Sequence, residues 1–232
     1  MAETYTSTAA ADGAAVDAAL TKANSAVQPQ SGTVTKLGGA DDYLQVGVDG
    51  SVKLIEDATQ WDDLDFAMSI RTGGGEDPPV WTQIATTGIY SWAFQNNDEA
   101  FFQRQIPHAF KVGSNWYPHV HWMPTTTATY TGPWTLTLTG HVTSTDPAQA
   151  PLITTVTRTG AFNLSATAWR GHLTPLDDGT PGKAIDGSAW GISTILVAKL
   201  VLTLSAGASC LLSGFDMHGE IDAFGSDQEY IK

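Results

Sequence analysis

Alternation of apolar and polar residues with a period of two is the clearest pattern along this chain. In WTLTLTGH, Trp134, Leu136, Leu138 and Gly140 fall on one side, and Thr135, Thr137, Thr139 and His141 on the other. That period lays one face of a strand against a core and turns the other toward water. The same reading predicts strands at 81–86, 89–94, 100–106, 117–123, 134–143, 152–159, 167–173, 194–204 and 209–221. The run 194–204 differs, because Ile195, Val197, Lys199 and Val201 oppose Leu196, Ala198, Leu200 and Leu202. Largely apolar on both faces, it belongs in the middle of a sheet. Residues 205–208 (SAGA) read as a turn that carries it into the last strand as a hairpin. Upstream, residues 43–48 and 51–55 flank Asp49-Gly50, a dipeptide suited to the positive φ angles of a tight hairpin turn. Residues 56–63 read as an acidic loop around Trp61, 64–70 as a strand, and 71–79 (RTGGGEDPP) as a flexible turn region.

Many short strands separated by Gly, Pro, Asn and Asp turns, without interleaved helices, predict a mainly β protein. The expected fold is a jelly-roll-like antiparallel sandwich. Residues 1–30 depart from the pattern. They are rich in Ala, and Val16, Leu20, Ala23 and Val27 recur at spacings of four, three and four, the seam of a short coiled coil. Gln28-Pro29 ends it. The chain therefore divides into a helical attachment or oligomerisation segment at 1–30, a linker and small β-hairpin region at 31–79, and a β-jelly-roll domain at 80–232. The seam residues are the expected oligomer or attachment contact.

Composition narrows the partners. The net charge of −13 argues against nucleic acid or an anionic membrane surface. No apolar run approaches the ~20 residues of a membrane-spanning helix, and no secretory signal is visible, so folding in a cytoplasm is expected. The single cysteine, Cys210, lies in an apolar run. It reads as a buried, inert thiol, with a disulfide to another chain as the alternative.

The chemistry concentrates in residues 100–123, AFFQRQIPHAFKVGSNWYPHVHWM. Alternation points Trp116, Val120 and Trp122 to one face and Tyr117, His119, His121 and Met123 to the other. Pro118 cannot donate to a ladder, so this strand is expected at an edge or to begin at His119. His119-Val120-His121 supports two readings, a polar seam in a structural β-domain or a metal site. Gly113, five residues and His-x-His match the opening of the first cupin motif. The Glu that the motif then needs is replaced by Thr125 and Thr126. Two neutral imidazoles alone hold a divalent ion weakly. A substitute is available only if the last strand, with Asp216, His218 and Glu220 on one face, pairs beside the histidine strand. The polar seam is therefore the expected state, with no metal and no cofactor.

No carboxylate pair, nucleophile elbow or phosphate-cradling loop is present, so no catalytic residue is nominated and the chain is not expected to be an enzyme. Trp61, Trp81, Trp92, Trp169 and Trp190 are expected as core or subunit-interface anchors. Stacking on sugars is the alternative for those that reach the surface.

Four stretches together resemble a family of tailed-bacteriophage proteins: VDAALTKANSAVQP at 16–29, DATQWDDL at 57–64, QRQIPHAFKVGSNWYPHVHW at 103–122 and GFDMHGEIDAFGSDQEYIK at 214–232. The first is similar to the N-terminal helices of phage fibre proteins. The resemblance implies a virion structural protein, assembled in the host cytoplasm, that contacts itself as a homotrimer and the phage capsid or other virion proteins. The implied contact, within the trimer or with the particle, is the seam at Val16, Leu20, Ala23 and Val27. A capsid decoration or head-fibre protein that binds or stabilises the capsid is the leading expectation. A tail or neck fibre adhesin that binds a host surface glycan or protein is the first alternative, and a cupin-like metal-binding enzyme the second.

Overall fold

The strongest alternation in the sequence becomes one of the two longest strands. A computed structural model describes residues 35–47, 50–69, 78–141 and 153–224. The N-terminal helical segment, with Val16, Leu20, Ala23 and Val27, lies outside the described residues. The chain forms two compact units that divide between Thr59 and Gln60.

The first unit is a three-stranded antiparallel sheet of β1 (Thr35–Gly38), β2 (Tyr43–Val46) and β3 (Val52–Ile55), followed by a 3-10 turn at Glu56–Ala58. The hairpin lies where Asp-Gly predicts it. Gly47 N–H donates to Ser51 C=O (2.7 Å), Gly50 N–H donates to Gly47 C=O (3.0 Å), and Gly50 has φ +86°. Strand β1 lies in the stretch read as a linker. Its polar sequence carries no alternation, and its extended state comes from pairing with β2, helped by Lys36 over the Tyr43 ring at 4.0 Å.

The second unit begins with β4 (Gln60–Asp65), β5 (Ala67–Ser69), β6 (Val80–Gln83), β7 (Tyr90–Phe94) and β8 (Glu99–Gln105). There follow β9 (Asn115–Pro124), β10 (Ala128–His141), β11 (Ile153–Ala166), β12 (His172–Pro175), β13 (Ile185–Asp186), β14 (Ile195–Leu202) and β15 (Cys210–Ile221). One sheet has five strands in the order β11-β10-β14-β8-β5. The other has seven, in the order β12-β9-β15-β7-β6, with β13 also on β9 and β4 also on β15. Every pairing is antiparallel. The fold is a β-sandwich of jelly-roll type, as the sequence predicts.

Both sheets contribute to one core. Trp134, Leu136 and Leu138 of β10 and Leu196, Ala198, Leu200 and Leu202 of β14 are fully buried. Trp116, Val120 and Trp122 of β9 and Phe215 and Met217 of β15 are buried from the other side. Ring contacts join the layers, Phe94 to Trp134 and Phe102 to Phe215, each with centroids 5.3 Å apart and near edge-on. Burying each such side chain stabilises the fold by about 1.5–3 kcal/mol.

Several expectations are corrected. Residues 60–63, read as part of an acidic loop, belong to β4, which pairs with β15, and Leu64 and Phe66 are buried. Strand β11 runs seven residues past its predicted end at 159, and residues 167–170, predicted as strand, form a turn in which Trp169 has φ +65°. β14 and β15 are not a hairpin. They lie in different sheets, and residues 203–209 cross from one layer to the other.

Strand β9 is internal despite Pro118. In an antiparallel strand the N–H and C=O of one residue point the same way. Pro118 C=O accepts from Leu176 N–H (2.9 Å), in the gap between β12 and β13, so the missing donor is on that side. The ladder with β15 loses nothing.

Candidate functional site

The site is built by one irregularity in β15. Before it, Cys210 and Leu212 face the core, and Leu212 pairs with Trp122 of β9. The register then shifts between Leu212 and Gly214, leaving the exposed Ser213 as the extra residue of a β-bulge. Past the bulge the parity is reversed, with Phe215 and Met217 inward. Asp216, His218 and Glu220 consequently turn outward. Their neighbours on β9 are set by the same register: Asp216 opposes His119 and His218 opposes Tyr117.

The pairing on which the metal reading depends is therefore present. His119 Nε2 lies 2.5 Å from Asp216 Oδ1, and His121 Nε2 lies 3.3 Å from Asp216 Oδ2. His119 and Asp216 are buried, whereas the His121 side chain is 42% exposed. No in-line hydrogen bond reaches Asp216 Oδ1, although the ring nitrogen is close. His119 Nδ1 faces the Tyr117 carbonyl at 3.5 Å. Burial by itself lowers the pKa of His119. Pairing with the Asp216 carboxylate, the Tyr117 carbonyl and the charge of Asp63 outweigh that, and the net direction is upward from the ordinary histidine value.

Strand β4 completes the face. His218 opposes Asp63 in the ladder, and His218 Nε2 is 2.8 Å from Asp63 Oδ1. The His218 ring stacks edge-on against His119 at 4.5 Å, and His119 against His121 at 4.8 Å. Trp61 meets Tyr117 edge-on at 5.3 Å. Glu220 is drawn to Lys111 at 2.8 Å and contributes nothing to the histidine cluster. Asp63 is the residue that sequence reading missed, having been placed in a solvated loop. The signal was available, since Trp61, Asp63 and Asp65 alternate with Leu64 and Phe66 in the period of two.

The remaining candidates resolve separately. Cys210 is a free thiol, fully buried, and desolvation pushes its pKa up to about 12, so it is the inert core residue of the first reading. Trp190 is a buried anchor whose Nε1 donates to Thr154 Oγ1 (2.6 Å). Trp61 and Trp81 are exposed and Trp169 borderline. An open groove of about 550 Å³ beside Gly132, Pro133 and Phe162 is lined without a titratable side chain and offers no acid or base.

Asp178 organises a turn. Its Oδ1 accepts from the N–H (2.8 Å) and hydroxyl (3.1 Å) of Thr159, and Oδ2 accepts from Lys183 Nζ (2.8 Å). The Lys183 ammonium and the Thr159 donors hold its pKa below the usual carboxylate value. The stabilisation is thus fully present above the unfolded-state pKa near ~3.9 and is lost as pH falls through the lower folded value. Asp178 has φ +54°, which Asn also tolerates, so Asp178→Asn isolates the charge. The variant is expected to be about 1–2 kcal/mol less stable at pH 7, with the difference shrinking toward zero in acid. Urea unfolding across that range checks it, and a constant difference at all pH values would refute the linkage.

No protein-family profile and no curated protein sequence matches the chain. Among solved structures it is similar to that of the infectious bursal disease virus Gx strain (16% identity, 80% of this chain and 39% of that chain, TM-score 0.33). It is also similar to the enzymatically active domain of bacteriophage CBA120 tailspike protein 4 (12% identity, 70% of this chain and 19% of that one, TM-score 0.27). A third is TmCBM61 in complex with beta-1,4-galactotriose (11% identity, 68% of this chain and 86% of that one, TM-score 0.24). The chain spans about two fifths of the length of the bursal disease virus chain, at 39%. At these values the likenesses carry no functional argument, which rests on the residues themselves.

Proposed function

We propose that the chain is a structural component of a tailed-bacteriophage virion, a homotrimeric capsid decoration or head-fibre protein that binds or stabilises the capsid. The phage assignment rests on the sequence resemblance. Three of its stretches, at 57–64, 103–122 and 214–232, supply β4, β9 and β15, adjacent strands whose outward side chains form the histidine face.

The observation that carries the assembly reading is an edge of the seven-stranded sheet that no described strand covers. Strand β6 ends that sheet, and Val80 (56%), Trp81 (53%), Ile89 (64%) and Tyr90 (46%) stand exposed along the β6–β7 hairpin. An apolar edge strand of this kind is a template for association and needs a cover. On this reading another copy of the chain covers it, and residues 1–30 fasten the trimer to the particle. No helix among the described residues is long and apolar enough to cross a membrane.

Light scattering on the full chain is expected to give a trimer mass at micromolar concentration; a monomer mass there would overturn the assembly reading. Trp81→Ser is expected to weaken the trimer. Removing residues 1–30 is expected to leave the β units folded but abolish attachment to particles that lack the protein. Full occupancy by the truncated chain would place the docking surface on the β units.

One observation favours the adhesin alternative. Trp81 and Tyr90 lie almost parallel, at 12° with centroids 6.2 Å apart, and present an aromatic surface of the kind that stacks on sugars. In that case Trp81→Ser would abolish binding to host surface glycan and leave the mass unchanged.

A further inference from the structure

We propose that His119, His121 and Asp216 form a binding site for one divalent transition-metal ion of the zinc, cobalt or nickel type. Two imidazole nitrogens and a carboxylate oxygen are the donor set that such ions take, whereas calcium and magnesium favour oxygen alone. The ligand atoms all lie within 4.8 Å of one another. A centre with bonds of ~2.0–2.2 Å needs the widest pair drawn in and His119 Nε2 and Asp216 Oδ1, now 2.5 Å apart, moved further from one another. His121, half-exposed at the rim, is free to swing in, while His119 and Asp216 hold the buried side.

Three further features fit an ion. Asp216 is more than nine-tenths buried, and its two oxygens face the two rings, Oδ1 toward His119 Nε2 and Oδ2 toward His121 Nε2. The carbonyl of Tyr117 beside His119 Nδ1 supports the tautomer that leaves Nε2 free to coordinate, the usual arrangement for a ligating imidazole. All three ligands stand on paired strands, two on β9 at i and i+2 and one directly across the ladder on β15, so the site is built on rigid elements. The ligands come from one side, and the open side faces solvent past His121. Bound there, the ion would cross-link β9 to β15. Asp216 supplies the anionic ligand that the sequence motif lacks at Thr125 and Thr126.

The test uses untagged full-length protein, stripped with chelator and titrated with Zn²⁺ and with Co²⁺. One equivalent per chain is expected by calorimetry, with visible d–d absorption for Co²⁺ that reports imidazole coordination. Excess Zn²⁺ is expected to raise the melting temperature by roughly 5 °C, since an ion that binds only the folded state stabilises it by mass action. His121→Gln, at a half-exposed position that tolerates the change, is expected to weaken binding at least tenfold, and Asp216→Asn to do the same. Failure of the stripped protein to take up either ion would overturn the proposal. So would Zn²⁺ binding that is unchanged in His121→Gln, which would place the ion on other histidines. Should Asp216→Asn not fold, His121→Gln decides alone.

Discussion

Phe215→Asp is expected to abolish the native fold, while deleting Ser213 is expected to leave it standing. Phe215 is buried in the core, its ring 4.8 Å from that of Phe66 and 5.3 Å from that of Phe102. The substitution removes that packing and buries a carboxylate without a partner, and each of these costs several kcal/mol. Together they rival the ~5–15 kcal/mol by which domains are stable, so the variant should lack a cooperative melting transition. Ser213 is different, because it is the extra residue of the bulge. Leu212 pairs with Trp122 and Gly214 with His121, the next residue along β9. Without Ser213 the strand alternates without interruption, and Cys210, Leu212, Phe215 and Met217 all stay inward. The deletion variant should melt cooperatively, and Ser213→Ala should stay within ~0.5 kcal/mol of the parent. A deletion variant with no cooperative transition would show that the fold needs the bend of the bulge itself.

The second large effect is expected at Trp122. Its ring is fully buried against Phe162 (4.8 Å), His172 (5.1 Å) and Tyr130 (6.1 Å), and Nε1 donates to Thr174 Oγ1 at 2.9 Å. It thus ties β9 to β12 and to the opposite sheet through Phe162 and Tyr130. Trp122→Ala removes the ring and leaves a cavity, at a cost of about 3–5 kcal/mol. For a chain of this size that lowers the melting temperature by on the order of 10 °C. The hydrogen bond is separable from the packing. Thr174→Val should cost about 1–3 kcal/mol in the parent, because it strands a buried indole N–H, and much less in Trp122→Phe, which has none. Chemical denaturation of the double-mutant cycle measures the difference. Strict additivity would mean that the indole N–H is not held by Thr174.

These two predictions bear on the histidine face from the core side. Trp122 packs beneath it from the core side of β9, and the bulge determines which carboxylate it meets. The aromatic edge at β6 is separate, on the far side of β7 in the same sheet. Assembly through that edge and ion binding on the β9–β15 face are therefore open to independent tests.

Alternation along single strands was readable from the chain alone. The pleat forces successive side chains to opposite faces, so Trp134, Leu136 and Leu138 had to share a face, and so did Tyr117, His119 and His121. The Asp-Gly hairpin was equally local, because the turn itself demands positive φ. What lies next to a strand is not local. That β9 and β15 are neighbours, that β4 joins them and brings Asp63 to His218, and that β14 and β15 lie in different layers depend on pairings between residues far apart in sequence. Those pairings are chosen by how two whole faces bury together. The bulge at Ser213 belongs with them. A serine between Leu212 and Gly214 carries no mark of it, and only the need to keep Leu212, Phe215 and Met217 all in the core pushes the extra residue out of the ladder. The sequence supplied two histidines and a carboxylate on strands of the right polarity; the register of the sheet placed them within reach of one another.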